Sequence, residues 1–336
     1  MRLCLFEDSK APFLEPVALT RPAFALRCGA GTILERQWRA LGAREIGAIV
    51  RPYLADLCRG QQPQIACNDA AWRAQGNVVY ANARWFPALS AAISDQPGIG
   101  LIGDEIAYVA GAPTPCPDES SEAVDAWLAA CRKRLPAVVA KGVLFTYLWD
   151  IVRHNGAALG EDETWFAAQP RTDSAAIAVM GPRERLIVSA EATIEPYVSA
   201  DTRLGPVLIG RGAVVQSFTR LEGPCSIGPD CWVLGAKVRA ETTIGPCCRV
   251  GGEVEASVFQ GHANKYHDGF LGHSYLGEWV NLAAGTQTSD LRNDYGMVRT
   301  TVAGARVNTR QTKVGAFFGD HARTGLGALL NTGSVV

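Results

Sequence analysis

Aliphatic residues recur on a six-residue ruler through the second half of this chain. Val188 and Ile194 open it, with Ala200 a weaker third. After a three-residue slip come Ile209, Val215, Leu221, Ile227 and Val233, and after a second slip Ile244 and Val250. Leu276, Leu282 and Thr288 keep step, and later Phe318, Thr324, Leu330 and Val336. The dipeptide Ile-Gly falls at 209, 227 and 244, spacings of 18 and 17. Eighteen residues are three hexapeptides, so three short strands and three tight corners close one triangular coil. The aliphatic residue of each hexapeptide points inward, and small or turn-forming residues take the corners. One coil cannot bury its own interior, so the coils must stack. Isolated hairpins would show period two without the six-residue beat. The pattern therefore predicts a parallel β-helix.

Two segments are expected to leave the ruler: 256–270, which includes SVFQGHANKYHDGF, and 289–313, which is polar and basic. Long excursions from a rigid scaffold tend to carry function. Overlapping the end of the first and reaching toward the second is a run from His267 to Thr286 that holds two histidines, an asparagine and several glycines.

The first half has a different texture. LCLF, IGAIV, NVVY and GIGLI predict short buried strands, and 31–42, 122–135 and 143–156 predict helices. Strands alternating with helices argue for an α/β sandwich with a mostly parallel sheet. Residues 111–121 are expected to form a loop or lid, and 168–185 a bridge. The expected organisation is an α/β domain over 1–180 and a β-helix domain over 181–336.

A net charge of −1 offers no basic field for nucleic acid or an anionic membrane. No apolar run reaches the ~18 residues of a membrane span, and the first residues lack the apolar core of a secretory signal. The expectation is a cytoplasmic protein without nucleic-acid or membrane partners. Ten cysteines form no CxxC pair, and reduced, buried thiols are expected. In the vicinal pair Cys247-Cys248, one thiol should point in and one out.

The parts together resemble the bifunctional N-acetylglucosamine-1-phosphate uridyltransferase / glucosamine-1-phosphate N-acetyltransferase family. The resemblance is closest to its divergent branch of sugar nucleotidyltransferases, and covers essentially the whole chain. It is carried by LFEDS, LTRPAFALRCG, LWDIVRHNG and HDGFLGHSYLGEWVNLAAGTQTSDLRNDYG. The fold implied is a nucleotidyltransferase-like α/β domain followed by a left-handed parallel β-helix. In the family the acetyltransferase base is a His opening His-Leu-Thr-Tyr-Leu-Gly-Asp, with Val-Asn-Ile-Gly-Ala-Gly-Thr at fixed distance. Here His267 opens HDGFLGH, and Val280-Asn-Leu-Ala-Ala-Gly-Thr286 follows without a gap.

The resemblance thus implies His267 as general base, a role suited to imidazole near neutral pH. Asn281 would bind the sugar, and Ala284 and Gly285 would let acetyl-CoA approach the backbone. Asn293 and Tyr295, in a stretch resembling the family's Asn-Tyr-Asp-Gly, would contact substrate, as would Lys237, which stands where an Arg is expected. His273 replaces an Asp, and either contacts substrate or hydrogen-bonds a corner. Lys265 and Tyr266 either contact phosphate or are solvated. His262 and His321 are expected to be structural.

The sequence also departs from the family. The Gly-x-Gly-Thr-Arg loop is absent from the start of this chain. Gly29-Ala-Gly31-Thr32 comes later, as a helix-entry turn or a phosphate cradle. Arg21 and Arg27 are candidate nucleotide-phosphate clamps or salt-bridge partners. Asn82 takes the place of the family's metal-binding Asp, and an uncharged amide is a poorer Mg²⁺ ligand; Glu7 or Asp8 could compensate. No metal-ligand set is assigned. Glu255 replaces a phosphate-binding Lys and Phe270 a Tyr. The chain stops at Val336, so either the chain is truncated before the family's tail or coenzyme binding is altered.

The reading is a transferase of nucleotide-sugar biosynthesis, with acetyl-CoA-dependent N-acetyl transfer to an amino-sugar phosphate and a homotrimer built through the β-helix. One alternative is a sugar-1-phosphate nucleotidyltransferase, using a nucleoside triphosphate and Mg²⁺, with the β-helix as trimerisation scaffold. The other is a non-catalytic, ligand-binding or regulatory relative.

Overall fold

A computed structural model describes residues 1–94, 96–118, 120–172 and 177–336. The expected loop at 111–121 and bridge at 168–185 include residues 119 and 173–176, which lie outside the described residues. The chain divides into two compact units. One comprises residues 1–14, 18–26 and 31–146; the other comprises 15–17, 27–30 and 147–336. Among the described residues no helix is long and apolar enough to cross a membrane.

The first unit is built on a seven-stranded sheet. Its strands run in the order Ala137–Val139, Gly98–Ile102, Glu105–Ala110, Val78–Asn82, Arg2–Phe6, Glu45–Ile49 and Ile65–Cys67. Pairing is parallel except on both sides of Glu105–Ala110. The interior strand Arg2–Phe6 buries Leu3 to Phe6 on both faces, as a covered parallel sheet requires. Helix Ile33–Leu41 starts on a capping box in which Thr32 and Glu35 satisfy each other's backbone amides, and stops at Gly42 in the left-handed region. Phe6, Tyr80, Ile99, Val109 and Trp127 share one core.

One cysteine expectation needs correcting: Cys58 and Cys67 form a disulfide. Helix Ala55–Gln61 turns directly into strand Ile65–Cys67, which brings the two Cα atoms to 6.5 Å, within reach of a bridge. The other eight cysteines are free, and all but Cys247 are buried.

The second unit is a three-faced prism of parallel coils. On its first face Ile209 lies beside Ile227, Ile227 beside Ile244, Ile244 beside Phe259, Phe259 beside Leu276, and Leu276 beside Phe318. On the second, Ile194, Val215, Val233, Val250 and Lys265 stack in turn. On the third, Ala200, Leu221, Val238, Val254 and Leu271 do the same. These residues, Lys265 apart, form one buried core, with Ile194 only partly covered. Left-handed backbone marks the corners. Asp230, Cys247, His262, Trp279 and His321 carry positive φ where the first face meets the second. His262 stacks on Trp279 at 4.7 Å, a structural corner role.

The second expected excursion is present. Residues 289–313 leave the prism, fold a hairpin from Arg299–Val302 and Ala305–Asn308, and the ladder resumes at Phe317. The first is not, and that expectation is corrected. Residues 256–270 stay on the ruler, with Phe259, Lys265 and Leu271 as the inward beats. A lysine at an inward position concealed the beat. Helix Leu148–Ala167, longer and later than expected, buries Leu148, Ile151, Val152, Asn155, Ala158 and Leu159 at helical spacing. Its start is fixed by Tyr147 N–H donating to Asp150 at 2.9 Å, and Asn155 Nδ2 donates to Glu241 O and Thr243 Oγ1 of the prism.

Replacing Ile227 by Ala should cost about 2–5 kcal/mol through the cavity left in the prism. Urea unfolding followed on the C-terminal unit measures it. A change within about 0.5 kcal/mol would place Ile227 on the outside instead.

Candidate functional site

Stacking decides which sequence-predicted residues meet. His267 lies in the corner that joins Asn264–Lys265 on the second face to Phe270–Gly272 on the third, and it is exposed. Its imidazole stands edge-on to Tyr266. The next coil places Ala283 to Thr286 over this corner: Gly285 N–H donates to Asp268 O at 3.1 Å. The coil after that follows, with Gly327 N–H donating to Ala284 O at 2.8 Å. Gly285 and Gly327 both have positive φ, and a Cβ on Gly285 would come within 3.5 Å of Gly327 Cα. Thr324 Oγ1 accepts from Ala283 N–H and meets Thr286 Oγ1 at 2.7 Å. The Ala284 N–H has no partner among the described residues.

Asn281 belongs to the same group. Asn264 Nδ2 donates to Asn281 Oδ1 at 2.8 Å, one coil apart, which leaves the Asn281 amide N–H groups to donate outward. Asn264 Oδ1 is buried without a partner. Lys265 reaches this corner from inside the prism: its Nζ donates to His267 O at 2.6 Å. Burial pulls its ammonium down to about 8, and the charge of Asp268 partly opposes that. Sequence reasoning left Lys265 between solvent and phosphate; its side chain is buried rather than solvated.

The other predicted residues stand elsewhere. Lys237 is exposed on the third face, with Glu253 at 4.0 Å. Asn293 and Tyr295 are exposed on the excursion, beside an Arg292–Asp294 ion pair. His273 lies at the corner between the third and first faces, its Nδ1 2.7 Å from Asp290 Oδ2. The sequence signal for Asp290 was available: it follows His273 by 17 residues, one coil.

In the first unit, Asp8, Asn82 and Arg84 cluster at the carboxyl edge of the parallel strands, where such sheets bind ligands. Arg84 is fully buried. It donates to both Asp8 oxygens at 2.9 and 2.6 Å and to Glu105 at 2.8 Å. Asn82 Nδ2 donates to Asp8 at 2.8 Å. Burial raises the Asp8 pKa, but the hydrogen bonds and charge of Arg84 outweigh it and hold the carboxyl below its usual range. Glu7 is bound by Arg51 through both oxygens. Sequence reasoning missed Arg84 and Arg51. A cavity of about 360 Å³ opens beside Asp8, Lys10, Glu105 and Arg132. Mg²⁺ does not fit the donor set at this edge, because the carboxylates already share a guanidinium and the remaining donor is an amide.

Arg21 is buried and its carbonyl holds Arg51. In the second unit, Arg27 donates to the carbonyls of Gln260 and Ala30. The Gly29-to-Thr32 amides are engaged by acceptors: Gly29 by Asn155, Ala30 by Asp162 and Thr32 by Glu35. That stretch is a helix-entry turn.

A parallel sheet with a polar carboxyl edge, followed in the chain by a parallel β-helix, defines a sugar-nucleotidyltransferase-like protein. Residues 3–170, half of the chain, match the profile for sugar nucleotidyl transferases, and the chain belongs to that family. A bifunctional sugar-1-phosphate nucleotidylyltransferase/acetyltransferase of Sulfurisphaera tokodaii is 37% identical over 81 residues, 24% of this chain and 20% of that protein. Bifunctional GlmU proteins of Rippkaea orientalis and Jannaschia sp. are 37% identical over 78 residues and 35% over 107. Those matches cover 23% and 30% of this chain and 16% and 22% of the relatives. The chain thus spans about a fifth of the length of these curated relatives.

The depressed Lys265 pKa sets a sign. Between about 8 and 10.5 the unfolded chain holds a proton at Lys265 that the folded chain has lost, so stability rises with pH across that window. Denaturant midpoints from pH 7 to 11 should show this rise, and Lys265→Met should flatten it. An unchanged slope in that variant would place the titration elsewhere.

Proposed function

We propose that the chain is a transferase of nucleotide-sugar biosynthesis whose β-helix carries out acetyl-CoA-dependent N-acetylation of an amino-sugar phosphate. Residues 1–180 form its nucleotidyltransferase-like part and 181–336 its acyltransferase-like part, in a homotrimer built through the prism. The observation that carries this reading is the stacking of the Ala284-Gly285 turn on the corner that holds exposed His267.

The residues fit the acyl donor. A left-handed glycine corner and an unpaired Ala284 N–H leave backbone open to a linear, amide-bearing chain. When bound, acetyl-CoA supplies a thioester carbonyl open to attack by an amine. His267 accepts the proton that the amine loses as its nitrogen bonds to the acyl carbon, and returns it to the departing thiolate sulfur. Ala284 N–H is the donor left to meet the negative charge that develops on the carbonyl oxygen. Asn281 Nδ2 orients the sugar. Lys265 holds the His267 backbone and so positions the imidazole.

A second reading rests on the family match over residues 3–170: transfer of a nucleotidyl group to a sugar 1-phosphate. Arg84 between Asp8 and Glu105 counts against a metal-dependent form of it. No step is drawn through a metal there.

Thiol release from acetyl-CoA with a panel of amino-sugar phosphates tests the first reading. His267→Ala should lower the rate by about 10²–10⁴-fold, the usual worth of a positioned general base. Undiminished release by that variant, or none by the wild type, would reject it. Pyrophosphate release from a nucleoside triphosphate and sugar 1-phosphate would support the second.

A further inference from the structure

His273 follows His267 by six positions, across the extended Phe270–Gly272 edge. Six extended residues span up to roughly 20 Å, so the two imidazoles stand at different corners. At its own corner His273 is held in the left-handed region, and its Nδ1 meets Asp290 Oδ2 at 2.7 Å. The pair is mostly covered, with 20% and 12% of the two side chains exposed. Burial raises the Asp290 pKa, but hydrogen bonding to His273, with the charges of His273 and Lys313, together outweighs it and holds the carboxyl below its usual range, so it is a carboxylate. A carboxylate only accepts. The Nδ1 position therefore carries a proton, and Nε2 is the ring nitrogen left for a ligand.

His273 lines a cavity of about 490 Å³. Arg153, from helix Leu148–Ala167, and Arg310 and Lys313, from the end of the excursion, line it too, against Glu241 as the one acidic residue among the described lining. Neither guanidinium has a hydrogen-bond or ion-pair partner among the described residues. Lys313 stands 3.8 Å from Glu255, too long for a hydrogen bond, and its charge also acts on Asp290. Two guanidiniums without partners among the described residues, in a lining with one carboxylate, leave this cavity able to take an anion. The fork of a guanidinium matches phosphate oxygens. The acetyl-transfer reading uses none of these groups.

We propose that this cavity is a second ligand site, separate from the His267 corner, and that it takes a small phosphorylated molecule. Arg153, Arg310 and Lys313 hold the phosphate. His273, oriented by Asp290 through Nδ1, leaves Nε2 for a hydrogen bond with the same ligand.

Inorganic pyrophosphate is the probe, added at constant ionic strength to ¹⁵N-histidine-labelled full-length protein. Imidazole resonances are followed by NMR, and His273 is assigned by its loss in His273→Gln. The expected result is a saturable shift of the His273 resonance. The double variant Arg153→Ala/Arg310→Ala should weaken it at least about tenfold, from the loss of charge-assisted hydrogen bonds. Both arginines are exposed, and an unchanged Asp290-bonded Nδ1 proton signal verifies that the variant is folded. No saturable shift at His273, an equal affinity in the double variant, or the same shift from chloride would each overturn the proposal.

Discussion

The C-terminal unit rests on one constraint, the backbone ladder that sets each coil in register with the next. Because the pairing is parallel and in register, residues about 17 apart in sequence become neighbours in space. Asn264 reaches Asn281, and His273 reaches Asp290, each over a separation of 17. Even the excursion respects the rule: Tyr275 and Leu276 pair with Phe317 and Phe318 after the hairpin has been bypassed. The inward side chains provide the apolar burial that makes stacking favourable, and the corners inherit columns of functional groups at fixed spacing. A single corner therefore gathers an imidazole and an open glycine turn, with the Asn281 amide on the face that leads into it, without any long-range loop closure.

The two units treat charge in opposite ways. At the sheet's carboxyl edge the predicted carboxylates are already bound, Asp8 by Arg84 and Glu7 by Arg51, and Arg84 also holds Glu105. Removing one partner of such a pair strands a buried charge at a cost of about 3–5 kcal/mol, so these contacts hold the sheet edge together. The His267 corner leaves its chemistry exposed. Its imidazole is exposed, the Ala284 amide has no partner among the described residues, and the ammonium of Lys265, bound to the His267 carbonyl, is weakened by burial. The contrast locates preorganised structure in the first unit and available chemistry in the second.

The prism was legible because the inward beat is a hydrophobic signal of fixed period. Val188, Ile209, Ile227 and Leu276 could be placed from the sequence, and all lie in the core. The sign was lost wherever the period or the polarity changed. Val238 and Val254 are inward beats that follow Val233 and Val250 by five and four residues, and a strict six-residue ruler passes over both. Lys265 sits inward with its amine turned back to a carbonyl, so a polar letter hid an interior position. The Cys58–Cys67 bridge was missed because the closeness of a helix end to the following strand is a property of the turn, not of cysteine spacing. Arg84 and Asp290 were missed for one reason: each is recognised by its partner, and the partner is distant in sequence. The stacking of Ala284 and Gly285 on the His267 corner follows the motif spacing, whereas the placement of Asn281, Lys237, His273, Asn293 and Tyr295 required the coil geometry.

The central claim is that the stacked corner of residues 266–269, 283–286 and 325–328 receives the acyl donor. Backbone amide chemical shifts, followed by NMR as acetyl-CoA is added to the full chain, test it most directly. The Ala284 amide should move most, as an unpaired donor gaining an acceptor, with its neighbours in the same three corners following. Perturbations confined to the sheet edge of the first unit, or an unmoved Ala284, would contradict the account.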